Sequence, residues 1–235
     1  MRRNLLMTFL LLALPLSGCA ITYSADPITA RVVDAETKAP IEGVIVVAHW
    51  QLKGGMEGGN NVGQMNVLET VTNQNGQFYF PGWGPKLRSL SGELKTESPE
   101  ILLFTNGYRY LRLLNVLDEK SLRGELDMPL KSYWDKKTIE MEKFKGSLEE
   151  YAEHVRDLNN NLEFSTDEPE KCHWKKIPRT ILAMRQQRKY FEEQGVNPHT
   201  LSLIDQELIM NDEYYTNKGG SRCGSPKDFI RSLQQ

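Results

Sequence analysis

A chain of 235 residues that is 39% hydrophobic and 26% charged carries enough apolar material for a packed core, and no repeat or low-complexity block interrupts it. A formal charge of −2 excludes the basic footprint of a nucleic-acid-binding protein. Three cysteines leave one over from any pairing.

The chain opens on a basic head, Arg2-Arg3, followed by an apolar block from Leu5 to Leu14 that Pro15 interrupts. A spanning helix needs about 20 apolar residues, so this block is too short to cross a bilayer. Basic head, short apolar core and the small residues Ser17 and Gly18 have the anatomy of a secretory signal peptide. Leu16-Ser17-Gly18-Cys19 resembles the lipobox of bacterial lipoproteins in residue types, spacing and position. The resemblance implies removal of residues 1–18, diacylglycerol on the Cys19 thiol and a further acyl chain on its amine. Each buried CH₂ adds about 0.8 kcal/mol, and two or more chains convert marginal binding into stable anchoring. The expected partner of acylated Cys19 is therefore membrane lipid. Ala20 in place of Asp after the cysteine implies, under the family's sorting rule, an outer-membrane lipoprotein facing the periplasm. Losing Arg2 and Arg3 makes the mature chain more acidic still. Export also changes the remaining cysteines: oxidising compartments favour disulfides, and with Cys19 acylated, Cys172 and Cys223 become an even pair. A loop of that size should stabilise by about 4 kcal/mol in the chain-entropy model.

Residues 19–26 read as a lipidated tether. From Pro27 the period becomes two: ITARVVD (28–34) alternates as a half-buried strand, and VIVVAHW (44–50) is a second strand rich in β-branched residues. The glycine-rich stretch 53–66 reads as an exposed loop. LETVT (68–72) and QFYF (77–80) flank Asn73-Gln74-Asn75-Gly76, which reads as a hairpin turn, and strands 101–105 and 108–113 flank Asn106-Gly107. Leu126–Leu130 could add an edge strand limited by Pro129. Together these segments predict about seven strands in a small antiparallel sandwich.

ITARVVDAETKAPIEGVIVVA, then VTNQNGQFYFPGW, then LLFTNGYRYLRL resemble the carboxypeptidase regulatory-like domain, a transthyretin-like Greek-key sandwich. The likeness covers 27–133 and implies a domain without catalytic residues of its own. After Trp134 the period lengthens. Phe144, Leu148, Tyr151, Val155 and Leu158 form a helical stripe, with Ser147 and Glu150 spaced as a capping box. Ile177, Ile181, Met184 and Phe191 form another, with Pro178 near its start and Gly195 as a C-terminal stop. Leu201–Asn211 predicts a third helix, and Ser225-Pro226-Lys227-Asp228 starts a last short one. The expected class is α+β: a sandwich followed by a helical region of three to four helices at 134–235, stapled by its disulfide.

Catalytic signatures are lacking. The four histidines open His49-Trp-Gln-Leu, His154-Val-Arg-Asp, His173-Trp-Lys-Lys and His199-Thr-Leu-Ser, none of them the His-x-x-Glu pair of zinc carboxypeptidases. Cys172-His173 with Cys223 has no C-x₂-C spacing, and Asn73-x-Asn75-Gly76 lacks the acidic ligands of a calcium loop. Ser221 and Ser225 lie outside G-x-S-x-G, and the glycine-rich loop is not a phosphate cradle. No metal, cofactor or catalytic residue is expected. The one binding cluster expected is His49, Trp50, Glu69, Tyr79 and Trp83, where aromatic faces beside an acid and an imidazole suit a sugar ring or a partner's side chain. The function expected is a non-catalytic binding or scaffolding module for another envelope protein or a surface polymer. An accessory subunit of an envelope hydrolase, or an unrecognised hydrolase, is the alternative.

Overall fold

The structure is a computed structural model, and it describes residues 22–54, 60–88, 92–123, 126–196 and 201–234. The expected signal segment 1–18, Cys19 and His199 lie outside the described residues. The architecture is mixed α+β, with mainly antiparallel sheets followed by helices.

The strands are β1 (Thr22–Ala25), β2 (Ile28–Asp34), β3 (Ile45–Gly54), β4 (Asn60–Val71), β5 (Gln77–Phe80), β6 (Trp83–Leu87), β7 (Glu93–Leu94), β8 (Glu100–Phe104) and β9 (Leu111–Leu113). A short helix, α1 (Glu119–Leu122), precedes β10 (Thr138–Met141). One sheet has the order β10-β2-β5, with β10 parallel to β2. A second has the order β4-β3-β8-β9, with β7 also on β3, and β1 pairs with β6 in a separate ribbon. The helices α2 (Leu148–Asn160), α3 (Pro178–Glu193), α4 (Ile204–Met210), α5 (Asp212–Cys223) and α6 (Pro226–Ser232) follow.

β3 explains the layering. Val46, Ala48, Trp50 and Leu52 point into one core with Ile28, Val32, Phe78 and Phe80 of the facing sheet. Val47, Leu102 and Phe104 point the other way, into a core with Val155, Trp174, Ile181 and Phe191 of the helical part. A strand covered on both faces loses the polar half of its alternation, which is why VIVVAHW reads as a continuous apolar run.

Several expectations change. The segment read as a tether forms β1, with Tyr23 and Ala25 each 6% exposed, because Leu87 and Trp83 of β6 supply its ladder. β4 starts inside the glycine-rich stretch expected as a loop, and Gln64 and Asn66 there are buried. The 73–76 turn is not a hairpin: β4 pairs with β3 whereas β5 pairs with β2, so the chain changes sheets there. Gly76 (φ 70°) is needed because a side chain would strike the Val32 carbonyl oxygen. Of the expected strand 126–130 only Leu130 bridges, to Ala25. β10 lies within the region expected to be helical, so the sheets extend past the 27–133 boundary on both sides.

The Asn106-Gly107 turn does join paired strands, and Gly107 has φ 79°. The opening motif also has a physical role. Asp34 accepts from the Glu36 and Thr37 amides and the Thr37 hydroxyl, and its other oxygen accepts from Tyr108, tying β2 to the Asn-Gly turn. Those hydrogen bonds, led by the Thr37 amide and working against burial, hold its carboxyl well below the usual range.

In the helical part, α2 has the expected capping box between Ser147 and Glu150. Pro178 and Pro226 stand in the first turns of α3 and α6, and Gly195 (φ 81°) follows α3. The third helix is shorter than expected, at Ile204–Met210, and α5 had no predicted counterpart. Gly219 and Gly220 hide α5 from a propensity reading, yet Gly219 is where Cys223 packs and a side chain would collide with its sulfur. Arg188 of α3 reaches Asp205 of α4, which is fully buried, at 2.8 Å. Cys172 and Cys223 form a disulfide with Cα atoms 5.4 Å apart.

Candidate functional site

The five residues expected to form one cluster occupy four places. Adjacent residues of a strand face opposite ways, so His49 and Trp50 are separated by β3 itself. Trp50, 1% exposed, packs edge-on against half-buried Trp83, centroids 5.3 Å apart, inside the intersheet core. Tyr79 is 55% exposed on the outer side of β5. Glu69 is drawn to the first turn of α3, accepting from the Arg179 amide at 2.9 Å, the Thr180 amide at 2.8 Å and the Thr180 hydroxyl at 2.7 Å. Burial nevertheless pushes its carboxyl up, against those hydrogen bonds. The aromatic platform for a sugar or side chain is therefore not assembled.

His49 instead belongs to a buried polar network on the helical face of the sheet. Its ring stacks on Phe164 at 4.0 Å, Nδ1 lies 3.0 Å from Gln64 Oε1, and Nε2 lies 3.6 Å from Glu100 Oε1, an electrostatic contact too long for a hydrogen bond. Arg112 of β9 grips Glu100 of β8 with two hydrogen bonds, 2.6 and 2.9 Å. Burial raises the Glu100 carboxyl, but the His49 ring and the Arg112 guanidinium outweigh it and bring it to about 2. Beside this network a cavity of about 370 Å³ is lined by Gln51, Lys95, Ser98, Glu100 and Arg112 among others. Lys95 closes on Gln51 Oε1 at 2.6 Å, and the Gln51 amide donates to Ser98 Oγ at 3.1 Å.

A larger cavity, about 710 Å³, lies where β4 meets the disulfide-stapled turns before α3. Four exposed cations line it: Lys171, Lys175, Lys176 and Arg222. None of the four forms a salt bridge among the described residues. Lys171 precedes Cys172 and Arg222 precedes Cys223, so the disulfide holds two like charges on one wall. Two carboxylates share the lining, Glu168 and Glu170. Glu168 is committed inward, accepting from the Gln64 amide at 2.8 Å and lying 3.3 Å from His173 Nε2, through space that Gly63 leaves free. Gln64 (8% exposed) and His173 (3% exposed) also line the cavity, and the Gln64 Nε2 and His173 Nδ1 atoms have no hydrogen-bond partner among the described residues. Half-buried Lys86 stands nearby over the Trp83 ring; burial, then the Lys176 charge, pushes its amine down.

The sequence reading did not pick out this site: Lys171, Lys175 and Lys176 lie together around His173 in the chain but form no motif. Arg222 and Gln64 are far away in sequence and carry no motif, so only the disulfide and the course of β4 bring them in. Among the described residues no group of three His, Cys, Asp or Glu side chains is placed to hold a metal ion, and no helix is long and apolar enough to cross a membrane.

No family model matches the chain, and no curated protein matches it. Among solved structures it is similar in part to 3-chlorocatechol 1,2-dioxygenase from Rhodococcus opacus 1CP, with 12% identity over 51% of this chain and 61% of that one, at a TM-score of 0.31. A group B streptococcus pilus 2b backbone protein shows 20% identity over 51% of this chain and 41% of that one, TM-score 0.28. The dioxygenase domain of a dioxygenase–carbohydrate-binding fusion from Streptomyces sp. SirexAA-E shows 13% identity over 56% and 86%, TM-score 0.29. The chain spans less than two thirds of the first two, and likenesses at these scores carry no argument about activity.

Proposed function

We propose that this protein is a lipid-anchored envelope lipoprotein, held at the outer membrane by acylated Cys19 and facing the periplasm, that acts as a non-catalytic binding or scaffolding module. On this reading the sheets are a Greek-key sandwich of the carboxypeptidase regulatory-like kind. The change of sheet between β4 and β5 and the Asp34–Thr37–Tyr108 linkage of the motif residues support that assignment. The observation that carries the non-catalytic reading is how three buried or half-buried carboxylates are engaged. Glu69 is tied to the start of α3, Glu100 to Arg112 and Glu168 to the Gln64 amide, so each is spent on holding layers together. A general acid or base needs a carboxylate poised toward substrate.

The anchor is tested by palmitate labelling and membrane flotation. Labelled, floating wild type and an unlabelled Cys19→Ala variant are expected; a variant that still labels and floats overturns the anchor. The binding role is tested by in-cell crosslinking, where a reproducible envelope partner is expected and its absence counts against a scaffold.

A further inference from the structure

The cation-lined cavity and the anchor are neighbours. In the β1–β6 ribbon Thr22 is paired with Leu87, and Tyr23 with Lys86. Leu87 is 70% exposed and lines the cavity alongside Lys175 and Lys176. Thr22 is three steps along the chain from Cys19, and a fully extended chain advances at most about 3.6 Å per residue. The acylated cysteine is thus tied within about 11 Å of the ribbon that forms the cavity rim. A protein anchored at Cys19 must carry this cavity at the headgroup layer.

The cavity's own chemistry fits that position. Among the described residues, four cations without salt-bridge partners, of which Arg222 also donates to the Glu170 carbonyl, surround two buried side chains with unpartnered polar atoms, one an amide nitrogen and the other an imidazole nitrogen. An isolated buried donor is costly, and several lysines held together repel one another. An anion with several acceptor oxygens relieves both. We propose that this cavity seats the phosphate group of an anionic lipid in the membrane that holds Cys19, gripped by Lys171, Lys175, Lys176 and Arg222, with the Gln64 side-chain amide donating from its floor. The exposed Leu87 dips into the same interface. This inference rests on the anchor proposed above and adds to it an orientation and a lipid class. The body of the protein is docked against the bilayer through its disulfide-stapled turns and does not swing freely on a tether.

The test uses the acylated full-length mature protein reconstituted into phosphatidylcholine vesicles with and without phosphatidylglycerol. Lysine acetylation rates are read residue by residue by mass spectrometry. The expected result is that Lys171, Lys175 and Lys176 react about fivefold or more slowly when phosphatidylglycerol is present, an effect of the size expected per basic residue at a charged surface, and that raised salt removes the protection. Lys38, beyond the opposite end of β2, should react at one rate throughout. A Lys175→Gln/Lys176→Gln variant should lose the protection at Lys171 while keeping its disulfide. Protein that floats with both vesicles but shows equal rates overturns the inference and leaves the anchor standing. Protein that does not float overturns the anchor and, with it, the placement argued here. Equal protection by inorganic phosphate in detergent micelles overturns the lipid as the occupant.

Discussion

Two cores share one sheet, and they are stabilised differently. Between the sheets, Val46, Ala48, Trp50, Ile101 and Leu103 meet Phe78, Phe80 and Met141 with little polar content. Behind the sheet, the helical core is apolar in its centre but is fastened by polar devices: Glu69 on the start of α3, Arg188 on Asp205, and the disulfide. A sheet face can bury its alternating side chains against another sheet by shape alone. Short helices leave free amides and carbonyls at their ends, and each end needs a partner. The helical core therefore depends on long-range polar contacts at its helix ends, whereas between the sheets such contacts stand at the edge, as where Asp34 meets Tyr108.

This comparison is broken most severely by emptying either core. Trp50→Ala and Trp174→Ala should each cost about 3–5 kcal/mol, both residues being almost inaccessible. Loss of tryptophan burial and loss of helix should be followed together in urea. If the two cores are one cooperative unit, both signals shift together in both variants; separate shifts would show that the sheet does not couple them. Reduction of Cys172–Cys223, or Cys172→Ala with Cys223→Ala, should cost up to about 4 kcal/mol. Helical signal should be lost first, because the closed loop lies wholly in that region.

Next is Glu100→Gln, expected to cost about 1.5–3 kcal/mol near neutral pH by leaving Arg112 and His49 without their carboxylate. The pH dependence has a definite sign. The folded Glu100 carboxyl lies at about 2, below its ordinary value of 4.5. Its contribution is present above the ordinary value and is lost as pH falls toward 2. Wild type should therefore lose more stability than the variant between those values in acid titrations of the unfolding midpoint. The smallest effects are at helix starts. Ser147→Ala removes a cap that α2 carries locally, and Glu69→Ala one that α3 receives from β4; each should cost about 1 kcal/mol. The two differ in reach: hydrogen exchange should rise only in the first turn of α2 in the former, and along both α3 and the facing part of β4 in the latter.

How much of this was legible follows the range of the interactions. Alternation in ITARVVD, the Asn106-Gly107 turn, the Ser147–Glu150 box, the Pro178 and Pro226 starts and the Gly195 stop are local signals, and the structure has each of them. The cysteine pairing was expected because the resemblance around Cys19 implied an oxidising compartment, and the structure has the disulfide. By contrast, β1 and β10 are short segments that become strands only because β6 and β2 offer them ladders. The 73–76 turn reads as a hairpin because its residues suit a tight reversal; which sheet the next strand joins is settled by where Phe78 and Phe80 can be buried.

The candidate site divides the same way. By itself the sequence determined the residue types and local conformations: an apolar head ending in Cys19, amphipathic stripes, and a basic run around His173. Tertiary structure alone decided that His49 and Trp50 serve different cores, that Glu69 caps a helix about a hundred residues away in sequence, and that Arg222 joins Lys171 at one cavity beside β1 and β6. The physical reason is that hydrogen bonds of turns and caps close over a few residues and are written in order along the chain. Burial and charge proximity are set in space, where residues distant in sequence become neighbours.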